Sequence, residues 1–185
     1  GDVRLGVFDV NAPGQGLRWL AVSGTHTLPP SGHEAWLPDR DGIVFSTRMD
    51  EARNGNLWTV GERDRSPCCF VHNHSYIGHV AVSRCGQYWL GDGYHEPVTP
   101  LYMGRFDTPK YRRVLDTHTG FRGKQIDHTH PYLTADTRWI VFGSSRSGCP
   151  QVYGARLSAA FLASLAAGGA PRERPQPRES RPSGF

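Results

Sequence analysis

Thr129-His130-Pro131-Tyr132-Leu133-Thr134-Ala135-Asp136-Thr137-Arg138-Trp139-Ile140-Val141-Phe142 reads as a short strand, a polar turn and an apolar strand. Turn formers between two short runs of aromatic and branched residues favour a hairpin over a helix. Two earlier segments have the same shape. Gly32-His33-Glu34-Ala35-Trp36 passes through Pro38-Asp39-Arg40-Asp41-Gly42 into Ile43-Val44-Phe45. Gly78-His79-Val80-Ala81-Val82 passes through Ser83-Arg84-Cys85-Gly86 into Tyr88-Trp89-Leu90. A histidine opens each unit, with 46 residues from His33 to His79 and 51 from His79 to His130.

A third strand follows each hairpin, at Leu57-Trp58-Thr59-Val60, Leu101-Tyr102-Met103-Gly104 and Gln151-Val152-Tyr153-Gly154. A fourth follows in two cases, from Cys68 to Val71 and from Arg112 to Leu115. Four strands per unit at this spacing fit the blades of a β-propeller, which run to roughly 40–50 residues. The stretches from Arg4 to Val10 and from Leu17 to Val22 read as the third and fourth strands of an earlier blade. The expectation is therefore an all-β fold over residues 1–157, a partial ring of four-stranded blades. Half a blade, two whole blades and three strands of another make about half of a common propeller. Such an arc has open edges, and the chain is expected to be a piece of a longer protein. Residues 158–185 read as a short helix, Ala159 to Ala167, and then a disordered tail rich in Pro, Arg, Glu, Ser and Gly.

Composition agrees with this class. Among 185 residues there are 22 Gly, 14 Pro, five Trp, seven Tyr and eight Phe, a profile of strands and tight turns. The formal charge of +4 mildly favours anionic partners. Part of that excess lies in the tail, and the blades carry no basic stripe, which argues against nucleic acid. The cysteines Cys68, Cys69, Cys85 and Cys149 form no CxxC pair and read as thiols in a reducing compartment. No apolar run reaches the ~18 residues that cross a membrane, and no signal peptide is visible.

The histidines carry the chemistry. The first strand of each blade lines the channel of a propeller, so His33, His79 and His130 are expected to converge from three neighbouring blades. In an extended strand, residues two apart share a face, which brings His128 beside His130. Gln125 adds an amide oxygen from the entering loop. Imidazole is the commonest protein ligand for a divalent metal. His95 and His118 are candidates for the channel mouth, whereas His26, His72 and His74 read as surface or turn residues. Glu34 and Asp92 flank the site, with Glu34 alternating away from His33.

At this point the residues resemble a known family. Gly32-His33-Glu34-Ala35-Trp36-Leu37-Pro38, Gly78-His79 leading to Leu90-Gly91-Asp92-Gly93, Gln125 to Pro131, and Phe142-Gly143-Ser144-Ser145-Arg146-Ser147-Gly148 with Gln151-Val152-Tyr153 are similar to the C-terminal half of oligogalacturonate lyases. These are seven-bladed propeller enzymes of polysaccharide lyase family 22. The resemblance covers about residues 3–157. It implies a divalent metal, usually taken as manganese, on His79, Gln125, His128 and His130. It further implies His33 as catalytic base and Arg4 as an assisting arginine. The implied substrate is an oligogalacturonide, cleaved by β-elimination to an unsaturated uronate, and the implied location is cytoplasmic. The turns Ser83-Arg84-Cys85-Gly86 and Thr134-Ala135-Asp136-Thr137 depart from the family's usual Ser-Pro-Asp-Gly form. No residues are assigned to substrate contacts.

The chemistry suits such a set. The proton at C5 of a uronate is weakly acidic, because its loss adds negative charge beside a carboxylate; a cation offsets that charge. Imidazole and amide ligands are neutral and leave the cation its full charge. The alternatives are a non-catalytic TolB-like propeller serving as an interaction scaffold, or a lyase for another uronate polymer. A serine peptidase half is disfavoured, since no Gly-x-Ser-x-Gly elbow is present.

Overall fold

A computed structural model of the chain describes residues 3–22, 26–119 and 127–166. The chain folds into a succession of antiparallel sheets. The first is a hairpin of β1 (Gly6–Phe8) and β2 (Leu17–Trp19). The second is a four-stranded meander of β3 (Pro30–Leu37), β4 (Gly42–Asp50), β5 (Gly55–Gly61) and β6 (Cys68–Cys69). The third repeats that order with β7 (Ile77–Val82), β8 (Tyr88–Gly93), β9 (Pro100–Arg105) and β10 (Tyr111–Asp116). The last holds β11 (Tyr132–Leu133), β12 (Trp139–Ser144) and β13 (Gln151–Arg156). The helix α1 (Ala159–Ala166) closes the described chain. These are propeller blades, in the strand groups that the repeat predicts. No helix among the described residues is long and apolar enough to cross a membrane.

The core is divided between the sheets. Leu20, Val22, Ile43, Phe45, Trp58 and Val60 fill the space between the first sheet and the second. Leu37, Val44, Leu57, Phe70, Ile77 and Trp89 are among those that fill the next gap. Leu90, Leu101, Met103, Ile140, Phe142 and Leu165 fill the last. Consecutive residues feed opposite gaps: Phe45 one way and Val44 the other, Leu90 one way and Trp89 the other. This is the period-two alternation of a strand, with apolar side chains on both faces because each blade is covered on both sides. Burial of each large side chain contributes about 1.5–3 kcal/mol, so the stacking of blades is the chief source of stability. Helix α1 adds Leu165 to the last cluster, with Phe161 and Leu162 packed beside it.

Polar stitches join the blades near their inner strands. Ser46 Oγ donates to the Gly78 carbonyl at 3.0 Å, and Asn56 Nδ2 donates to the Ile77 carbonyl at 2.8 Å. Ser144 Oγ donates to the Thr117 carbonyl at 2.6 Å. Strand β3 lies beside β7, and β7 beside β11. The innermost strands of three blades are therefore neighbours; His33 and His79 ride on β3 and β7, and His128 and His130 lie in the segment that enters β11.

Candidate metal centre

The inner strands are irregular where the histidines sit. The β3–β4 ladder slips between Pro30 and Glu34, around His33, and the β7–β8 ladder slips between Ile77 and Val80, around His79. A bulge frees one residue from the ladder and re-aims its side chain. His130 lies just ahead of β11 with φ of 37°. The left-handed region costs a non-glycine residue of order 1–3 kcal/mol, and such residues cluster at functional sites. His128 and His130 do not share a strand, so strand alternation is not what brings them together. A kink at His130 places their ring centroids 5.5 Å apart.

The rings converge. The centroid of His79 lies 4.2 Å from that of His130, 5.1 Å from His128 and 4.3 Å from His33. One nitrogen from each of His79, His128 and His130 falls within 4.8 Å of the others, and His33 stands beside this trio. Burial, followed by the charge of His79, lowers the pKa of His33, His128 and His130 below the ordinary imidazole value. All three are neutral at neutral pH, the form that binds a cation or accepts a proton.

A buried carboxylate holds the centre of this group. Asp92 on β8 is fully buried. His79 Nδ1 donates to Asp92 Oδ2 at 2.7 Å, and the His79 backbone N–H donates to Oδ1 at 2.9 Å. The Thr129 hydroxyl also donates to Oδ2. Burial alone raises this carboxyl's pKa; the hydrogen bond and charge of His79, with Thr129, outweigh it and bring the pKa below the usual carboxylate value. With Nδ1 committed to Asp92, the buried Nε2 of His79 has no hydrogen-bond partner among the described residues.

Tyr94, in the turn after β8, lies on the other side. Its hydroxyl is 3.0 Å from His128 Nε2, and its ring meets His79, His128, His95 and Tyr76. Burial, with Asp92 and Tyr76 nearby, raises the phenol's pKa, so it stays protonated. Gly78 makes room for it: a Cβ there would stand 2.7 Å from Tyr94 Cβ. A groove of about 500 Å³ runs past the histidines along the inner strands, with the half-exposed Trp36 and Tyr132 on its walls.

The other candidates fall in different places. Gln125 lies outside the described residues. Arg4 is exposed, just ahead of β1, and does not line the groove. Glu34 does line it, beside His33. His95 is exposed and packs on Tyr76 and Tyr94 near the site. His118 is exposed, with φ of 54°. His72 and His74 are exposed and bond to the Arg53 carbonyl and to Asn54, and His26 is half-buried. Two contributors escape the sequence reading, which names Asp92 only as a flank and does not name Tyr94. The ladder register is the signal for Asp92: continued one residue from Val80↔Gly91, it sets Asp92 across from His79.

Fold and site together define an arc of β-propeller blades with a histidine cluster on its inner strands. No family model matches the chain. An oligogalacturonide lyase of Pectobacterium atrosepticum is 23% identical over 150 residues, which takes in 68% of this chain and 36% of that protein. The chain thus spans about a third of the length of this curated relative. A solved oligogalacturonate lyase in complex with manganese superposes with a TM-score of 0.67 at 23% identity, over 88% of this chain and 43% of that one. TolB from Acinetobacter baumannii superposes with a TM-score of 0.64 at 17% identity, over 84% of this chain and 35% of its own. These likenesses show a propeller fold, and the lyase relatives suggest a lyase.

Proposed function

We propose that this chain carries the metal-binding and catalytic blades of a lyase that cleaves oligogalacturonides by β-elimination. The carrying observation is the trio His79, His128 and His130, with His33 beside it. The manganese complex of a structural neighbour supports a divalent cation, and Mn²⁺ is the metal proposed here. The donor set fits one: the imidazoles of His128 and His130 are unprotonated at neutral pH, and the buried Nε2 of His79 is without a partner among the described residues. His79, His128 and His130 would hold it, with Gln125 as a proposed fourth ligand. Bound there, the cation would supply positive charge against the uronate carboxylate and the charge that develops at C5.

His33 is proposed as the base. Its Nδ1 is shut away from solvent, so Nε2 is the atom assigned to the proton transfer. It takes the C5 proton; the C5–H electrons form the C4–C5 double bond, and the C4–O bond breaks with its pair leaving on oxygen. A neutral imidazole of lowered pKa starts this step unprotonated. Arg4 remains a proposed partner for a uronate carboxylate. The same chemistry serves other uronate polymers, and oligogalacturonide is preferred because the lyase relative carries that name.

The test is release of unsaturated uronate from oligogalacturonides, followed by ultraviolet absorbance with and without EDTA. Activity that chelator abolishes and Mn²⁺ restores is expected. Undiminished turnover in EDTA would sink the metal role. A scaffold, the alternative reading, would carry no stoichiometric metal.

A further inference from the structure

Asp92 does more than fill a hydrogen-bond vacancy in β8. Its two carboxylate oxygens take three donors from two blades: the His79 ring Nδ1–H at 2.7 Å, the His79 backbone N–H at 2.9 Å, and the Thr129 hydroxyl. Thr129 lies between His128 and His130 in the chain, and its carbonyl accepts from the Gly143 N–H at 2.7 Å. One carboxylate therefore touches one histidine directly and grips the segment that carries the other two.

We infer that Asp92 is the positioning residue of the metal centre, fixing His79 with its proton on Nδ1 and pinning His128 and His130 through Thr129. The inference rests on the metal reading proposed above. An ionised carboxylate only accepts hydrogen bonds, so the ring nitrogen facing it must carry the proton. With Nδ1–H turned to Asp92, the ring nitrogen left to face a cation is Nε2, the buried atom that lacks a partner among the described residues. Carboxylates behind metal-bound histidines act in this way, and their removal typically costs 10–100-fold in metal affinity. A buried carboxylate is costly to keep in a fold unless its donors offset the desolvation. Here three donors converge on it, two of them from the histidine it orients. Asp92 is not one of the residues that line the groove, and it acts there through His79 and Thr129.

The deciding experiment combines Mn²⁺ titration by calorimetry with nitrogen-15 NMR of the histidine rings. In the metal-free protein at neutral pH, His79 is expected to carry its proton on Nδ1. Asp92→Asn should weaken Mn²⁺ binding by about 10–100-fold and shift the His79 proton toward Nε2. Thr129→Val, which removes only the hydroxyl donor, should weaken Mn²⁺ by a smaller factor. Thr129→Ser should restore the affinity to within about twofold of the parent, because serine keeps the donor. A merely structural role would lower the thermal midpoint of these variants and leave the Mn²⁺ affinity of the folded protein alone. Unchanged affinity in both Asp92→Asn and Thr129→Val, or a His79 proton on Nε2 in the parent, overturns the inference. Failure of the parent to take up Mn²⁺ overturns the metal reading and the inference with it, whereas parent-like binding by the variants overturns the inference alone. If Asp92→Asn does not fold, the Thr129 pair decides.

Discussion

His33 and His79 open consecutive blades, each in a bulge of the innermost strand, yet their surroundings differ. The register carried on from Glu34↔Phe45 sets Ser46 across from His33, whereas that from Val80↔Gly91 sets Asp92 across from His79. Ser46 turns to Ser31 and to the Gly78 carbonyl. Asp92 turns to the histidine itself. His33 thus keeps a buried Nδ1 with no partner among the described residues, and burial lowers its pKa. His79 has its ring fixed by a carboxylate. A base must gain and lose a proton, and a ligand must hold one ring orientation, so the residue across the ladder suits each histidine to the different task proposed for it.

Four substitutions or conditions would break or sharpen this contrast. His33→Ala should lower the rate of uronate elimination by about 10²–10⁴-fold, the usual worth of a positioned base. Its Mn²⁺ affinity should stay within about twofold of the parent, and a comparable loss of metal would make His33 a ligand. His79→Ala should weaken Mn²⁺ binding by more than the roughly 10–100-fold that second-sphere changes cost, as calorimetry would register. Retention of full affinity would place the cation elsewhere.

Gly78→Ala comes next. The new Cβ would meet Tyr94 Cβ at 2.7 Å and Asp92 Oδ1 at 3.1 Å. Overpacking of this sort costs about 1–3 kcal/mol, so a lower urea midpoint is expected, together with a changed environment for the Tyr94 ring by NMR. An unshifted midpoint would mean that the inner strand relaxes freely.

The smallest effect concerns pH. The folded-state pKa values of His33, His128 and His130 are lowered. Below the ordinary value of about 6.5 the unfolded chain therefore binds more protons than the native one. Stability of the metal-free protein should fall as pH drops from about 6.5 through the lower native values. His33→Gln should flatten that dependence, because glutamine does not titrate. Denaturant midpoints measured across that range give the slope, and an unchanged slope in the variant would separate His33 from it.

Much of the blade structure is legible in the chain. Runs such as Ile43-Val44-Phe45 and Tyr88-Trp89-Leu90, each after a turn rich in Gly or Asp, specify strands through local sterics and alternation alone. Their recurrence, 45 residues from Ile43 to Tyr88 and 52 from Tyr88 to Ile140, marks the repeat unit. Boundaries are less exact: the fourth strand read as Cys68 to Val71 is a regular strand over Cys68–Cys69, and the strands read from Arg4 and Leu17 are regular over Gly6–Phe8 and Leu17–Trp19, with single backbone bonds from Phe70 to Leu57 and from Leu20 to Leu5 beyond them. Edge strands have one neighbour, so fewer ladder bonds hold their ends. The helix at Ala159 is likewise visible as a run of Ala and Leu, but that Leu165 joins the core of the last blades is not.

What the sequence by itself determined was the set of inner-strand histidines, because a repeat places equivalent residues at equivalent points and periodicity is a local property. The tertiary structure decided how they differ. The bulges around His33 and His79, the carboxylate behind His79 and the phenol beside His128 all depend on contacts between residues 11 to 37 apart in the chain. No local pattern encodes such contacts, because they exist only once neighbouring strands and blades have closed on one another.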